Sequence, residues 1–366
     1  MFKVFMSKDV LKPLERVLFS GFIGQGKKVE QFEKVLKYKL NSPYILTMNS
    51  GTSCLHIAYQ MLTVKEETNE AIVSPLTCAA TLTPLLANNI QPVWADVDGR
   101  TGNINVLDVE RKITPRTKMI VAVHWGGNPC ELSKLAQLSR KYHIPLIQDA
   151  AHALGAEYHG KSIAAYSDFT MFSLQAIKQV TTGDGGILVC RSAQYYKRAK
   201  LLRWYGIDRE KNCRNSDLRC AIDIKEAGHK FHMNDINAML GLENIKFLDW
   251  LLARHRDNAE YYDRRFKGKI DHVVAAKNTK PTYWLYTIFV KNAEALRRKL
   301  LQRGIQVSKV HARNDQHTVF KKYNRCPLPG VDWFDLHHLC IPCHYALTEQ
   351  EREYVSDSVL ELAKWG

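Results

Sequence analysis

Short apolar runs alternate with helix-like segments through the first two thirds of the chain. The runs that predict strands cover residues 44–48, 71–74, 92–96, 119–124, 145–148, 168–172 and 186–190. Segments such as 54–62 and 132–142 repeat their apolar positions with the 3.6-residue period of a helix. Strands that are apolar on both faces and separated by helices favour a mainly parallel sheet flanked by helices. The predicted fold class is therefore α/β.

The pattern changes beyond residue 230. It predicts helices at 234–248, 251–267 and 293–303, a strand at 283–290, and loops rich in His, Pro and Cys. We therefore predict a large domain over 1–249 and a smaller C-terminal α+β domain over 250–366.

Composition narrows the class of protein. Of the 366 residues, 45% are hydrophobic and 24% charged, as in ordinary globular proteins. No apolar run reaches the roughly 18 residues of a membrane-spanning helix. The first six residues lack the features of a signal peptide. We expect a cytoplasmic protein that does not bind a membrane.

Nine cysteines, an odd number scattered along the chain, suit a reducing compartment rather than a disulfide framework. Cys340 and Cys343, with His337 and His338 nearby, allow a zinc site. A zinc site of four ligands needs a second ligand pair at a suitable spacing, and the sequence has none there. Packed cysteines are the preferred interpretation, and no metal is predicted.

The net charge of +15 allows two interpretations. Basic residues neutralise the phosphates of nucleic acids, and positive clefts also concentrate small anionic substrates. The Lys and Arg residues are spread along the chain, and no nucleic-acid-binding motif accompanies them. We therefore expect an anionic small molecule as partner and no nucleic acid.

The segment 168–186 carries the strongest chemical signal. A predicted strand ends near Phe172, and a polar turn with Ser173 and Lys178 leads into a glycine-rich return. A lysine held at a strand end beside an apolar wall can have a lowered pKa and act as a nucleophile. A surface loop with an ordinary lysine fits the same residues.

Two more polar turns follow predicted strands. In 144–155 a buried strand leads to Asp149, with His152 three residues further on. Such a carboxylate can pair with a protonated ring nitrogen, or it can cap a helix. In 44–53 a strand leads to Gly51, Thr52 and Ser53, where free helix amides bind phosphate. Simple N-capping explains that turn equally well.

These segments, in this order, resemble the sugar aminotransferases of the DegT/StrS group, which are fold-type I pyridoxal-phosphate enzymes. The resemblance runs nearly the whole chain and rests on residues 21–33, 49–53, 95–98, 149–152, 172–178, 181–186 and 228–238. Several motifs in the same order make the match specific. The expected fold is a fold-type I aminotransferase.

The resemblance implies a role for each matching residue. Lys178 would carry pyridoxal 5'-phosphate covalently and move protons. Asp149 would keep the pyridine nitrogen protonated, and His152 would lie beside the ring. The phosphate would be held by Gly51, Thr52, Ser53 and Ser173, and by Lys230 of a neighbouring chain. A homodimer with shared active sites is therefore expected.

Two positions depart from the family pattern. Family members often carry Asn where this chain has Lys230, and an aromatic residue often stacks on the cofactor ring where this chain has Cys78. Cys78 cannot stack, so another side chain must cover that face or the ring is thinly covered.

The resemblance also implies the reaction. L-glutamate would donate nitrogen to a nucleotide-linked keto-sugar, and residues 176–186 look more like enzymes that aminate C-4 of 4-keto-6-deoxy sugars than C-3 enzymes. Trp125, His311 and Arg313 could meet the sugar or its diphosphate, or be structural. The related sugar dehydratases have histidine at the position of Lys178, which favours transamination. A non-catalytic regulatory protein of this fold is the remaining alternative.

Overall fold

The computed structural model describes residues 1–64, 67–209 and 223–363, and its centre is a seven-stranded sheet. The order of strands across the sheet is β1-β9-β8-β5-β4-β2-β3. Strand β9 is antiparallel to both of its neighbours, and the other six strands are parallel to one another. The seven strands are β1 Ile45–Met48, β2 Asn69–Val73, β3 Ile90–Trp94, β4 Thr117–Val123, β5 Leu146–Asp149, β8 Phe169–Ser173 and β9 Gly186–Cys190.

Helices cover this sheet on both sides, and two apolar cores lie between the helices and the sheet. Five of the seven strands are buried at every residue, which is why their sequences are apolar without alternation. The helices up to residue 244 are α1 Leu11–Leu18, α2 Lys27–Lys39, α3 Gly51–Leu62, α4 Ala79–Ala87, α5 Val106–Arg111, α6 Leu132–Tyr142, α7 Ala193–Leu202 and α8 Asp235–Asn244.

The C-terminal part builds a third core around a three-stranded antiparallel sheet in the order β10-β12-β13. Its elements are α9 Leu248–Phe266, β10 Asp271–His272, β12 Tyr286–Phe289, α10 Ala293–Gln302, α11 Pro329–His337, β13 His338–Ile341 and α12 Glu349–Ala363. A small sheet connects the two parts by pairing β11 Thr279–Lys280 with β6 Glu157–Tyr158, which also pairs with β7 Lys161–Ser162.

The α/β fold predicted from the sequence is confirmed, and each of the seven predicted strands lies within two residues of an observed one. The predicted domain boundary at 249/250 stays a prediction. It falls at the start of α9, whose Leu251 and Leu252 pack in a core of the large sheet, while Tyr262 and Phe266 pack in the C-terminal core. Residues 364–366 of the predicted second domain lie outside the described residues.

No helix in the described ranges is long and apolar enough to cross a membrane. The pair Cys340 and Cys343 is buried. The thiol of Cys340 lies 3.5 Å from Thr287 Oγ1, and that of Cys343 donates to the carbonyl of His255 at 3.4 Å.

Candidate active site

Asp149 ends β5 with its carboxylate buried. Its Oδ2 accepts a hydrogen bond from Thr81 Oγ1 at 2.6 Å, and its Oδ1 accepts one from the amide of Ala151 at 3.0 Å. Burial raises the pKa of Asp149, and the hydrogen bonds and the charge of Lys178 act against that rise. A buried carboxylate of this kind is stabilised further by any cation that comes to lie beside it.

Lys178 lies on the turn that follows β8, the neighbour of β5 in the sheet. Burial lowers the pKa of its amine to about 8, and the negative charge of Asp149 opposes this shift. A sizeable fraction of the amine is therefore neutral near pH 8, the form in which a lysine is nucleophilic and can accept a proton.

His152 is buried, and its ring stacks on the indole of Trp284 with centroids 3.8 Å apart. Burial and the nearby charge of Lys178 hold the pKa of His152 well below its usual value, so the imidazole is neutral. Its Nδ1 is buried and has no hydrogen-bond partner among the described residues. Buried polar atoms are normally satisfied, so this atom is suited to a bound molecule.

The N-terminus of α3 lies beside Ser173. Ser50 caps the helix by accepting a hydrogen bond from the amide of Ser53 at 3.0 Å. A Cβ atom on Gly51 would lie 2.7 Å from the sulfur of Met171 and 3.6 Å from Ser173 Cβ, so the glycine allows this close approach. The first turn of α3 and Ser173 are thus neighbours, and free helix amides beside a serine hydroxyl are suited to binding phosphate.

These groups form one site, which we call the cradle: Gly51, Thr52, Ser53, Asp149, His152, Ser173 and Lys178. All of them lie at or just beyond the carboxyl ends of β1, β5 and β8. Ligands of open α/β sheets bind at this edge. The roles assigned to these residues from the sequence stay predictions, and the structure brings all of them to the same edge of the sheet.

Lys230 has an exposed side chain and lies on a segment that bridges to Trp204. The next residue, Phe231, accepts a hydrogen bond from the amide of Asn49 at 2.8 Å, so this segment runs beside the turn before α3. Lys230 is therefore exposed on a segment that lies next to the N-terminus of α3.

The three residues predicted to meet the sugar occupy different environments. His311 lies parallel to His152 with ring centroids 5.6 Å apart, and burial lowers its pKa to about 4. Trp125 is 1% exposed, and its indole N–H bonds to Thr287 Oγ1 at 3.1 Å. Its surroundings are those of a core residue.

Arg313 pairs with two carboxylates of its own chain, Asp315 at 2.7 Å and Asp332. These pairs raise its pKa, and they compensate its charge within the protein. The surroundings of Arg313 therefore favour a structural role over the binding of a diphosphate.

Sequence reasoning missed Trp284, which contacts both His152 and Lys178. No local motif marked it, because it lies just before β12 and far along the chain from the cradle. Cys78, at the start of α4, is exposed and close enough to Lys178 to interact with it electrostatically. The aromatic side chain found beside Lys178 is Trp284, from a different element.

The fold and the cradle together place a lysine of lowered pKa and a buried carboxylate at the carboxyl edge of an α/β sheet. The family model of the DegT/DnrJ/EryC1/StrS aminotransferase family matches residues 5–360, and the chain belongs to this family. It is an aminotransferase.

Named relatives agree with this assignment. The chain is 31% identical to the UDP-4-amino-4,6-dideoxy-N-acetyl-beta-L-altrosamine transaminase of Campylobacter jejuni strain 81-176, over 96% of this chain and 95% of that protein. The sugar aminotransferase CalS13 from Micromonospora echinospora has a similar structure, with a TM-score of 0.93, 34% identity and 98% of each chain covered. PseC from Helicobacter pylori, an aminotransferase involved in the biosynthesis of pseudoaminic acid, is also similar. Its structure matches with a TM-score of 0.93 and 28% identity, covering 100% of this chain and 99% of that one.

Proposed function

We propose that this aminotransferase moves an amino group from L-glutamate to C-4 of a nucleotide-linked 4-keto-6-deoxy sugar, with pyridoxal 5'-phosphate as cofactor. The observation that carries the proposal is the pair Lys178 and Asp149, whose amine and carboxylate interact electrostatically at the carboxyl ends of neighbouring strands.

The cradle fits this cofactor group by group. The buried carboxylate of Asp149 suits a protonated pyridine nitrogen, and the unsatisfied Nδ1 of His152 suits a polar substituent of the ring. The amides at the start of α3 and the hydroxyl of Ser173 suit a phosphate. When bound, the cofactor supplies an electron sink for the carbon that loses or gains a proton.

The chain's own residues then divide the work. Lys178 Nζ, with its pKa near 8, takes a proton from the donor carbon and returns one to the sugar carbon that gains the amine. Asp149 would stabilise the protonated ring nitrogen of the cofactor with its negative charge. At about 4 Å and an effective dielectric of about 20, such a pair attracts by roughly 4 kcal/mol before desolvation is subtracted.

The substrate class rests on the relatives and on charge. The C. jejuni relative is named for a UDP-linked 4-amino sugar, and residues 176–186 resemble C-4 enzymes. The net charge of +15 suits an anionic nucleotide-linked substrate. Amination at C-3 is the alternative. The seven cysteines in the described ranges are all free thiols, which supports a reducing, cytoplasmic location.

The test is product analysis. The purified protein is incubated with glutamate carrying a heavy nitrogen isotope and with a panel of nucleotide-linked 4-keto-6-deoxy and 3-keto sugars. We expect the label in a 4-amino sugar by mass spectrometry and NMR, and none with Lys178→Ala. Label at C-3 would contradict the proposed position, and no labelled sugar from any substrate would contradict the proposed function.

We also propose a homodimer in which Lys230 serves the cofactor phosphate of the neighbouring chain. Support comes from its exposed side chain on a segment that runs beside the turn before α3. A two-fold axis makes the exchange reciprocal, so each chain lends one Lys230 and receives one.

Subunit complementation tests this arrangement. Lys178→Ala and Lys230→Glu, each nearly inactive alone, are mixed under conditions that exchange subunits. One site of a mixed dimer then carries both defects and the other none, so activity should recover to roughly a quarter of wild type. Lys225→Glu, which changes an exposed lysine on the same segment, should remain active by itself. No recovery after demonstrated exchange would mean that Lys230 does not serve the partner.

A further inference from the structure

Residues 282–285, which we call the strap, run from the small connecting sheet into β12 and cross the carboxyl ends of the large sheet. The amide of Thr282 donates to the carbonyl of Gly127 at 3.1 Å, and that of Leu285 donates to Gly126 at 3.2 Å. Thr282 Oγ1 also donates to the carbonyl of His152 at 2.5 Å. The strap is thus fixed to the turns that follow β4 and β5.

The glycines at 126 and 127 have positive φ angles of 59° and 90°, which brings their carbonyls to the strap. A Cβ atom on Gly127 would overlap Thr282 Oγ1 and lie 2.6 Å from the carbonyl oxygen of His152. The turn therefore has no room for a side chain while the strap is in place.

Trp284 extends the strap to a third turn, the one that carries Lys178. Its indole N–H donates to the carbonyl of Ile177 at 2.9 Å. The centroid of its ring lies 3.7 Å from Lys178 Nζ, and the side chain is only 3% exposed. One side chain therefore contacts both the backbone before the lysine and the amine itself.

We propose that Trp284 is a positioning residue for Lys178, with its N–H fixing the turn and its ring face holding the protonated amine inside the cradle. This inference rests on the proposed function, in which Lys178 moves the protons. A strap from the C-terminal part of the chain thereby controls the reactivity of a residue of the large sheet.

Electrostatics give the direction of the effect. An aromatic face attracts a cation, so Trp284 favours the charged form of the amine, while burial favours the neutral form. The other titratable groups whose charges act on Lys178 or that respond to its charge are Asp149, Cys78, His152 and His311. Loss of the aromatic face leaves those groups in place and removes one stabiliser of the ammonium, so the pKa of Lys178 should fall.

Competitive acylation of the full-length, cofactor-free protein, read by peptide mass spectrometry across pH, measures the pKa of Lys178 without any turnover. For Trp284→Leu we expect a fall of about one pH unit, because a desolvated cation–π contact is worth about that much. Trp284→Phe keeps a smaller aromatic face, so the pKa of Lys178 should fall less in this variant. Trp94→Phe, a buried tryptophan of the far edge strand β3, should leave the value unchanged.

An unchanged or higher pKa of Lys178 in both Trp284 variants would overturn the proposal. If Trp284→Leu fails to fold, Trp284→Phe alone provides the test. A pKa of Lys178 equal to that of wild type in this variant would then overturn the proposal.

Steady-state rates add an independent measurement on the holoenzyme. We expect kcat to fall about 10-fold in Trp284→Leu, with KM for the sugar within about 3-fold, as for lost positioning of a proton-transfer group. A raised KM with unchanged kcat would assign Trp284 to sugar binding and overturn the inference. Activity in Lys178→Ala would instead overturn the proposed function, and the acylation result would still stand by itself.

Discussion

The cradle contains Lys178 and the strap contacts it, but the two regions are built in different ways. The cradle residues are held by the sheet itself, since they lie at the carboxyl ends of parallel strands between residues 51 and 178. The strap is held by hydrogen bonds to three turns, and Trp284 and Ile177 are 107 residues apart in sequence. In this molecule the sheet brings the cradle residues together, and a distant segment contacts one of them, Lys178.

The largest effect should come from within the cradle. Replacing Lys178 by Ala removes the amine that moves the protons, and we expect kcat to fall by at least about 1000-fold. The visible absorbance band that depends on the covalent bond between Lys178 and the cofactor should disappear, while the melting temperature changes little because the amine was costly to bury. Absorption spectra, rates and thermal unfolding measure the three quantities.

Residual turnover close to wild type in Lys178→Ala would contradict the role given to the cradle. Lys161→Ala, an exposed lysine in β7 with no place in the cradle, serves as the control and should keep full activity.

The second effect separates two members of the cradle. Asp149→Ala removes the only carboxylate of the cradle, and we expect a loss in kcat of about 100-fold or more. His152→Ala removes a neutral ring and should cost far less. Steady-state rates of both variants at several pH values decide the matter. Small and equal losses of kcat in the two variants would indicate that Asp149 has only a structural role.

The cradle could be predicted from the sequence because its parts are local. Each polar turn directly follows an apolar strand, and parallel strands place their carboxyl ends at one edge of the sheet. Asp149 and Lys178 then come together because β5 and β8 are neighbours. The polar segments after buried strands marked the candidate residues, and the order of the motifs, through the family resemblance, selected the cofactor-binding interpretation over helix capping or an ordinary surface lysine.

The strap could not be predicted, since nothing near Trp284 in the sequence indicates which turn it contacts. The same limit applies to Trp125, for which the sequence left sugar binding and a structural role open, and whose indole is buried against Thr287. It applies in part to Arg313, because one of its two partners, Asp332, is 19 residues further along the chain. Long-range contacts of single side chains leave no periodic pattern in a sequence.

A third prediction tests whether the strap matters for catalysis. In Gly127→Ala the new methyl group overlaps Thr282 Oγ1 and pushes the strap off its turn. We expect the free energy of unfolding to fall by about 3 kcal/mol and kcat by about 10-fold. Denaturant titration and steady-state rates measure the two effects.

Gly160→Ala is the matched control for Gly127→Ala. Gly160 also has a positive φ, 72°, but among the described residues no atom lies within 4 Å of a Cβ built there. In Gly160→Ala the free energy of unfolding should therefore fall only by the backbone strain of about 1 kcal/mol, and the activity should be that of wild type. Equal losses in the two variants would mean that strain, not the displaced strap, explains the result.

The smallest effect concerns stability against pH, and it joins the two regions. The pKa of Lys178 is lowered from 10.5 to about 8 in the folded protein. Below pH 8 both the folded and the unfolded state carry the proton, so the cost of burying the ammonium is fully present. Between pH 8 and 10.5 the unfolded state binds more protons, and the free energy of unfolding therefore rises with pH.

Lys178→Met, which cannot titrate, should lack this rise. Denaturant titrations of the cofactor-free proteins from pH 7 to 10 should show wild type gaining about 2 to 3 kcal/mol on the variant. If the strap stabilises the ammonium, Trp284→Leu lowers the pKa of Lys178 in the folded protein further. The free energy of unfolding of this variant should then begin to rise at a lower pH than that of wild type. A difference between wild type and Lys178→Met that stays flat across this range would show that the buried amine is not perturbed, and neither region would then control it.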